Sequence, residues 1–268
     1  MKKILAIALA LILVLGMFAA CDKKDNAAPT NNGNAPAGDT LNTVKPGKLI
    51  MATNAEFKPY EYVEGDKIVG IDVEIAEAIA EKLGLELEIL NIEFDSIITS
   101  VATGSADFGL AGMTVTEKRL QEVDFSTTYA NGVQAIIVKE GSAITVCDDL
   151  YAEDATYKVG VQLGTTGDIY ASGDFGADRV IQYKSGNEAV LALQSGDVDC
   201  VIIDNEPAKS LVAANAGLQI LETEYANEDY AACFKKNNPL RDDVNAAIEE
   251  LIADGTIDAI IAKYIPAN

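Results

Sequence analysis

Three polar side chains follow a run of small apolar residues at close spacing: Thr114, Thr116 and Arg119, in Ala111-Gly-Met-Thr-Val-Thr-Glu-Lys-Arg119. Hydroxyls, the free N–H groups of a helix start and a guanidinium together suit a carboxylate, because all donate and the guanidinium adds a planar two-pronged fork. Thr116 is placed to cap a helix beginning at Glu117. Gly112 has no side chain, so a ligand can approach the backbone there. The same pattern also describes a capped surface helix with a solvated arginine. A second donor set lies at Gln162-Leu-Gly-Thr-Thr-Gly167, where Thr165 or Thr166 caps the next helix. Such a turn is an anion-binding end, though more often only a cap. Asp204 follows three apolar residues, Val201, Ile202 and Ile203. It either caps the segment starting Asn205-Glu-Pro207 or pairs with a ligand cation.

Other chemistries are excluded by composition. The chain of 268 residues contains no histidine, which removes histidine-based triads and zinc motifs. No metal site and no cofactor are expected. Cys147, Cys200 and Cys233 have no metal-ligand spacing and read as small buried hydrophobes. With 42 acidic against 20 basic residues, the formal net charge is −22. Such a surface repels nucleic acid and does not form a basic membrane-binding face.

The elements that must position these residues alternate between strand and helix. Lys48 to Thr53 reads as a strand, and Glu64-Gly-Asp-Lys67 as a hairpin turn. Ile71, Ile75, Ile79 and Leu83 recur every four residues and give a helix, with Gly70 or Asp72 near its start and Gly84 at its end. Leu85, Leu87 and Ile89 alternate with Glu86 and Glu88 as a strand with one wet face. Asp95 is placed to cap a helix that Gly104 ends. Strand–helix–strand succession with short loops predicts a parallel α/β sheet, whose ligands gather beyond the carboxyl ends of the strands. Asn54, Gly112 and Thr114 fall at such ends. After the apolar strand Val133 to Lys139 a second α/β unit begins, with a capping pattern at Ser185 and Glu188. Counted from Gly104 and Gly196, Asp107 matches Asp199 and Gly112 matches Asp204. This echo predicts two similar lobes, each presenting a strand end to a shared cleft. Two crossings between them fall near Tyr129–Gly132 and Asn227–Tyr230 and would act as a hinge.

The beginning of the sequence reads as targeting. Lys2 and Lys3 precede an apolar run from Ile4 to Ala20, too short for a comfortable span and followed at once by polar sequence. Residues 1–20 are therefore expected to be a signal peptide. Leu15-Gly-Met-Phe-Ala-Ala-Cys21 resembles a bacterial lipobox, with Cys21 as the lipid-bearing residue. Residues 21–42 are small, polar and broken by Pro and Gly, the composition of a tether.

Residues 48–264 resemble the periplasmic-type solute-binding proteins that serve polar amino acid ABC importers. The motifs are Thr53-Asn-Ala-Glu-Phe-Lys-Pro-Tyr60, Gly70-Ile-Asp-Val-Glu-Ile-Ala76, Ala111 to Arg119, Val123-Asp-Phe-Ser126 and Val159-Gly-Val-Gln-Leu-Gly-Thr-Thr166. The resemblance implies a two-lobed type II α/β fold, with residues 43–130 and 231–268 as one lobe and 131–230 as the other. It implies that Arg119 grips the α-carboxylate, with Thr114, Thr165 and Thr166 as further donors. Asp204 and the Gly112 carbonyl would take the α-ammonium, and Phe57 and Phe94 would wall the ligand body. Partners implied are a free L-amino acid and the importer's permease subunits, with the binder a monomer, lipid-anchored outside the cytoplasm.

Specificity turns on Asn54 and Gln162. Members that read a basic or glutamine side chain often place an aspartate where Asn54 stands, whereas an amide both donates and accepts. A buried ligand cation prefers an ionised partner. The expectation is therefore a neutral polar amino acid, with a basic one as the alternative, the more so if Glu56 turns inward. A sensor lipoprotein and a periplasmic dehydratase on the same scaffold are the other classes weighed. The chain is expected not to be an enzyme.

Overall fold

A computed structural model describes residues 41–222 and 225–266. The expected signal peptide, Cys21 and all but the end of the tether lie outside the described residues. The first strands are β1 (Lys48–Thr53), β2 (Glu56–Phe57), β3 (Glu61–Glu64) and β4 (Lys67–Val69), followed by helix α1 (Ile71–Leu83) and β5 (Glu86–Asn91). Then come α2 (Ile97–Thr103), β6 (Phe108–Gly109), β7 (Val123–Phe125) and the long β8 (Ala130–Lys139). The next stretch alternates regularly: β9 (Val159–Gln162), α3 (Thr166–Phe175), β10 (Val180–Tyr183), α4 (Gly186–Ser195), β11 (Cys200–Asp204) and α5 (Asn205–Ala214). The chain ends with β12 (Leu218–Ile220), β13 (Ala226–Tyr230), β14 (Cys233–Lys235), α6 (Leu240–Ala253) and α7 (Thr256–Tyr264).

Two sheets define two lobes of an α/β, type II periplasmic-binding-protein-like fold. The first has the order β5-β1-β6-β14-β7 and the second β10-β9-β11-β8-β12, with β13 also paired to β8. β5, β1 and β6 run parallel, as do β10, β9 and β11. β1 is buried on both faces: Leu49 and Met51 join one apolar cluster, Ile50 and Ala52 another. Such a strand is a continuous hydrophobic run rather than an alternating one. α6 and α7 pack on α1, so the end of the chain returns to the first lobe. β8 and β13 pair antiparallel from Ala130–Tyr230 to Gln134–Ala226, side by side between the lobes.

The repeated Gly/Asp pattern has the same physical role in both lobes. Asp107 accepts the backbone N–H groups of Ile50 and Val44, each at 2.7 Å. Asp199 accepts that of Lys158 at 2.7 Å, just before β9. Each aspartate thus ties its strand to its parallel neighbour. Gly84, Gly104 and Gly196 close their helices in left-handed conformations.

Two local expectations are corrected. Thr116 does cap, accepting the Arg119 N–H at 3.2 Å, but only a single 3-10 turn at Arg119–Gln121 follows. The chain re-enters the sheet as β7 at Val123, which leaves no length for a helix from Glu117. Asp95 does not cap α2. It lies within a 3-10 turn, Phe94–Ser96, and Ser96 occupies the cap position. Among the described residues, Cys147, Cys200 and Cys233 are free thiols; the latter two are buried and Cys147 is partly exposed.

Candidate ligand-binding site

Four strand ends meet between the lobes. Asn54 follows β1, Gly112 lies beyond β6, Gln162 ends β9 and Asp204 ends β11. All are carboxyl ends, where the unsatisfied ends of a parallel sheet leave room for a ligand. Asn54, Phe57, Phe94, Gly112 and Arg119 from one lobe, with Gln162, Thr165, Thr166 and Asp204 from the other, line one narrow cavity, closed down to about 10 Å³ of free space.

The anion end is built around Arg119, which is buried at 4% exposure. Its Nη1 donates to the Thr114 carbonyl at 2.7 Å and its Nη2 to the Gly164 carbonyl, in the other lobe, at 3.0 Å. Its guanidinium carbon lies 5.5 Å from the centre of the Phe94 ring. Burial lowers its pKa from the ordinary arginine value. Among the described residues it has no ion-pair partner, so a ligand carboxylate would supply the charge it lacks. The N-terminus of α3 completes this end. Thr165 caps it, accepting the Asp168 N–H at 3.3 Å, and Thr166 Oγ1 lies 3.5 Å from Thr114 Oγ1. Thr114 is buried beside the cavity rather than in its wall.

The cation end is Asp204. It occupies the position before α5 but makes no capping hydrogen bond there. Instead it accepts from the Tyr230 hydroxyl and, at 2.7 Å, from Gln134 Nε2. Gln134 faces Asp204 across the β8–β11 pair and also donates to Glu228 at 2.9 Å. Gly132 is required here, since a β-carbon would lie 2.1 Å from the Tyr230 hydroxyl. Burial, and then the charge of Glu228, push the Asp204 carboxyl up to about 8.

A second buried acid cluster stands behind Gly112. Asp72 accepts the Gly112 N–H at 2.8 Å and the Tyr129 hydroxyl at 2.9 Å. Burial raises Asp72 to about 6, and burial and Asp72 push Glu61 well above the usual carboxylate range. Gly112, held at φ +51°, packs against Phe57, whose Cε1 would lie 2.7 Å from an added β-carbon. Sequence reading passed over Asp72, Glu61, Gln134 and Glu228. Signals were present: Gln134 interrupts an apolar strand, and Glu228 shares the buried face of β13 with Tyr230.

The side-chain end differs from expectation. Asn54 Nδ2 donates to the Ile92 carbonyl at 3.0 Å. Gln162 Nε2 donates to the Lys184 carbonyl at 3.1 Å and to Asn54 Oδ1 at 3.0 Å. Gln162 thus spends both N–H groups within the protein, and Asn54 has a partner at each end of its amide, while each oxygen keeps acceptor capacity. Glu56 does not turn inward. β2 alternates, so Glu56 is exposed when Phe57 is buried, and Glu56 lines an outer groove with Lys58 and Ser210.

Comparison with known proteins identifies the family. The arginine-binding extracellular protein ArtP of Bacillus subtilis (strain 168) is 34% identical over 223 residues, covering 81% of this chain and 86% of that protein. The arginine-, lysine-, histidine-binding protein ArtJ of Geobacillus stearothermophilus is 34% identical with a TM-score of 0.77, covering 82% of this chain and 96% of that one. An ancestral arginine-binding protein bound to glutamine is 37% identical with a TM-score of 0.77, covering 83% and 100%. Residues 49–267 match the family described as bacterial extracellular solute-binding proteins, family 3. The expectation of a binder rather than an enzyme accords with that match, and the chain belongs to this family of extracellular solute-binding proteins.

Proposed function

We propose that the chain captures a cationic amino acid, arginine foremost, between its lobes and delivers it to the membrane subunits of an ABC importer. One observation carries the choice of charge: of the buried acids Glu61, Asp72, Asp204 and Glu228, Asp204 lines the cleft, Glu228 shares Gln134 with it and Asp72 holds the Gly112 N–H, while Arg119 is the one basic residue in the wall. Burial raises Glu61, Asp72 and Asp204, and an entering cation lets such acids ionise, which favours a ligand bringing two positive groups and one carboxylate. Arg119 and the α3 N-terminus take the carboxylate, and Asp204 with the Gly112 carbonyl takes the α-ammonium. Phe57 and Phe94 flank the stem, and the oxygens of Asn54 and Gln162 receive a donor-only side chain such as a guanidinium.

This replaces the neutral preference expected from Asn54, because the charge of a site is set by its whole surroundings. The names of ArtP and ArtJ support the basic reading as well. Glutamine remains the second reading, favoured by the glutamine-bound ancestral relative. In this proposal residues 43–130 with 231–268 form one lobe, residues 131–230 the other, and β8 and β13 the hinge. Lipid on Cys21 would hold a monomer at the outer membrane face. Titration calorimetry with arginine, lysine, histidine, glutamine and cystine tests the ligand. Glutamine binding tenfold more tightly than arginine would reject the basic reading.

A further inference from the structure

Glu228 makes no direct contact with the ligand in the scheme above, yet it is 5% exposed and lies beside the α-ammonium end. Its Oε2 accepts from Gln134 Nε2 at 2.9 Å, the same nitrogen that donates to Asp204 Oδ2 at 2.7 Å. Its Oε1 is buried and has no hydrogen-bond partner. One amide group thus bridges two buried carboxylates, and an anionic oxygen is left unanswered. Two carboxylates at such range do not both ionise without a cation, since mutual repulsion adds to the cost of burial.

We propose that Asp204 and Glu228 act as one proton-holding pair, which binds a single shared proton in the empty cleft and releases it when the ligand's ammonium enters. This rests on the reading that Asp204 takes the α-ammonium. The exchange balances: one –NH3+ group enters, one H+ passes to solvent or buffer, and the charge beside the pair is unchanged. The burial that raises Asp204 favours the proton in the empty state, and an ammonium in hydrogen-bond contact favours its loss. A recess on the hinge side, bounded by Gly132, Asn205 and Glu206, reaches Asp204 and gives the proton a way out.

No other group nearby replaces the proton. Tyr230 donates to Asp204, and burial holds its hydroxyl neutral. Tyr170, on α3, faces Glu228 and is also raised by burial. Arg119, the nearest cation, gives its donors to the Thr114 and Gly164 carbonyls. From the first lobe Tyr60 faces the pair, with Glu61 and Asp72 behind it, while Glu206 of α5 is already paired with Lys209 of the same helix. The two basic groups, Arg119 and Lys209, are both engaged with other partners, and neither bonds to the pair.

The consequence is specific. Between pH 5.5 and 7.5 arginine affinity rises about tenfold per pH unit, the linkage of one released proton. The full chain, purified in detergent, is titrated with L-arginine in phosphate and in Tris at matched pH. The difference in observed heat gives the protons released per ligand, and the expected number is close to one at pH 6.5. In Glu228→Gln, which keeps the side chain's shape, the number falls below one half and the pH slope flattens. Equal heats in both buffers with a flat pH profile for the unaltered protein would overturn the inference while leaving arginine binding intact. So would an unchanged proton count in Glu228→Gln. Full arginine affinity in Asp204→Asn, or no amino acid binding at all, would overturn the ammonium reading and the inference with it. The unaltered protein alone decides the buffer test, so a poorly folding variant does not rescue the idea.

Discussion

Replacing Arg119 by Ala should abolish most binding of any amino acid, whatever its side chain. Arg119 is 4% exposed and keeps its guanidinium between two backbone carbonyls, Thr114 and Gly164, one from each lobe. A ligand carboxylate entering there forms a charge-assisted pair shielded from water. Removing one partner of such a pair costs about 2–5 kcal/mol. In affinity that is roughly 30-fold to several-thousand-fold. The α3 N-terminus and Thr166 remain, so the loss should fall short of the whole binding energy. Stability of the empty protein should change much less, because the variant also removes a buried cation with no acidic partner. Calorimetry reads the affinity, and thermal unfolding with and without arginine separates binding from folding. The expected signature is a melting temperature near that of the unaltered protein, with the ligand-induced rise gone. Affinity within threefold of the unaltered protein would place the carboxylate elsewhere and refute the reasoning.

Gly112→Ala should weaken binding and cost about 1–2 kcal/mol of stability, since a non-glycine residue would be held at φ +51° with its β-carbon against Phe57; chemical denaturation and calorimetry measure the two effects, and an unchanged affinity would show that Phe57 does not wall the ligand. Asn54→Asp should raise the ratio of arginine to glutamine affinity, by about fivefold for 1 kcal/mol, and should lower stability because a carboxylate would face the Ile92 carbonyl that Asn54 Nδ2 now serves; a ratio that falls in competition binding would count against a side-chain cation at this end. The pH dependence of the empty protein has a definite sign. Asp72 and Asp204 have folded pKa values raised to about 6 and about 8, so the folded state binds more protons than the unfolded one and stability falls as pH rises from about 4 towards 8. Thermal unfolding at pH 5.5 and 8 should show the lower pH more stable, and saturating arginine should narrow the gap; a melting temperature that rises with pH without ligand would contradict the buried-acid assignment.

Much of the scaffold was legible because it is written locally. The four-residue recurrence from Ile71 to Leu83 and the left-handed glycine at Gly84 are properties of one short stretch. The Gly65-Asp66 turn fixes the pairing of Glu64 with Lys67 in the same way. Nine of the eleven candidate ligand residues line one cavity: strand ends and a helix start mark some of them in sequence, and the family resemblance supplied others, Phe57 and Phe94 among them. The helix expected after Thr116 failed for a reason outside its own stretch. Its cap is present, but β14 claims Val123–Phe125 for the sheet, and pairing with a strand more than a hundred residues away outweighs local propensity.

The charge of the pocket was not legible for a related reason. Asn54 was weighed as if one position decides whether a cation is welcome. The structure brings Glu61 from a hairpin, Asp72 from a helix start, Asp204 from a strand end and Glu228 from β13 into buried positions in or behind the cleft wall. Asp204 stands out after three apolar residues, but the other three are ordinary in their own stretches, and a chain with 42 acidic residues hides them further. Even the orientation of Asn54 depends on partners elsewhere: the Ile92 carbonyl takes its nitrogen end and Gln162 Nε2 its oxygen end. A neutral residue at the expected aspartate position is therefore compatible with a cationic ligand. The negative potential can come from carboxylates behind the wall, while the wall itself supplies only oriented oxygens. Such a division makes a testable distinction. If background charge attracts the ligand and oriented amides read its shape, neutralising Asp72 to Asn should weaken arginine and lysine alike. Altering Gln162 to Leu should weaken arginine more than lysine, because a guanidinium has five donors to satisfy and an ammonium three.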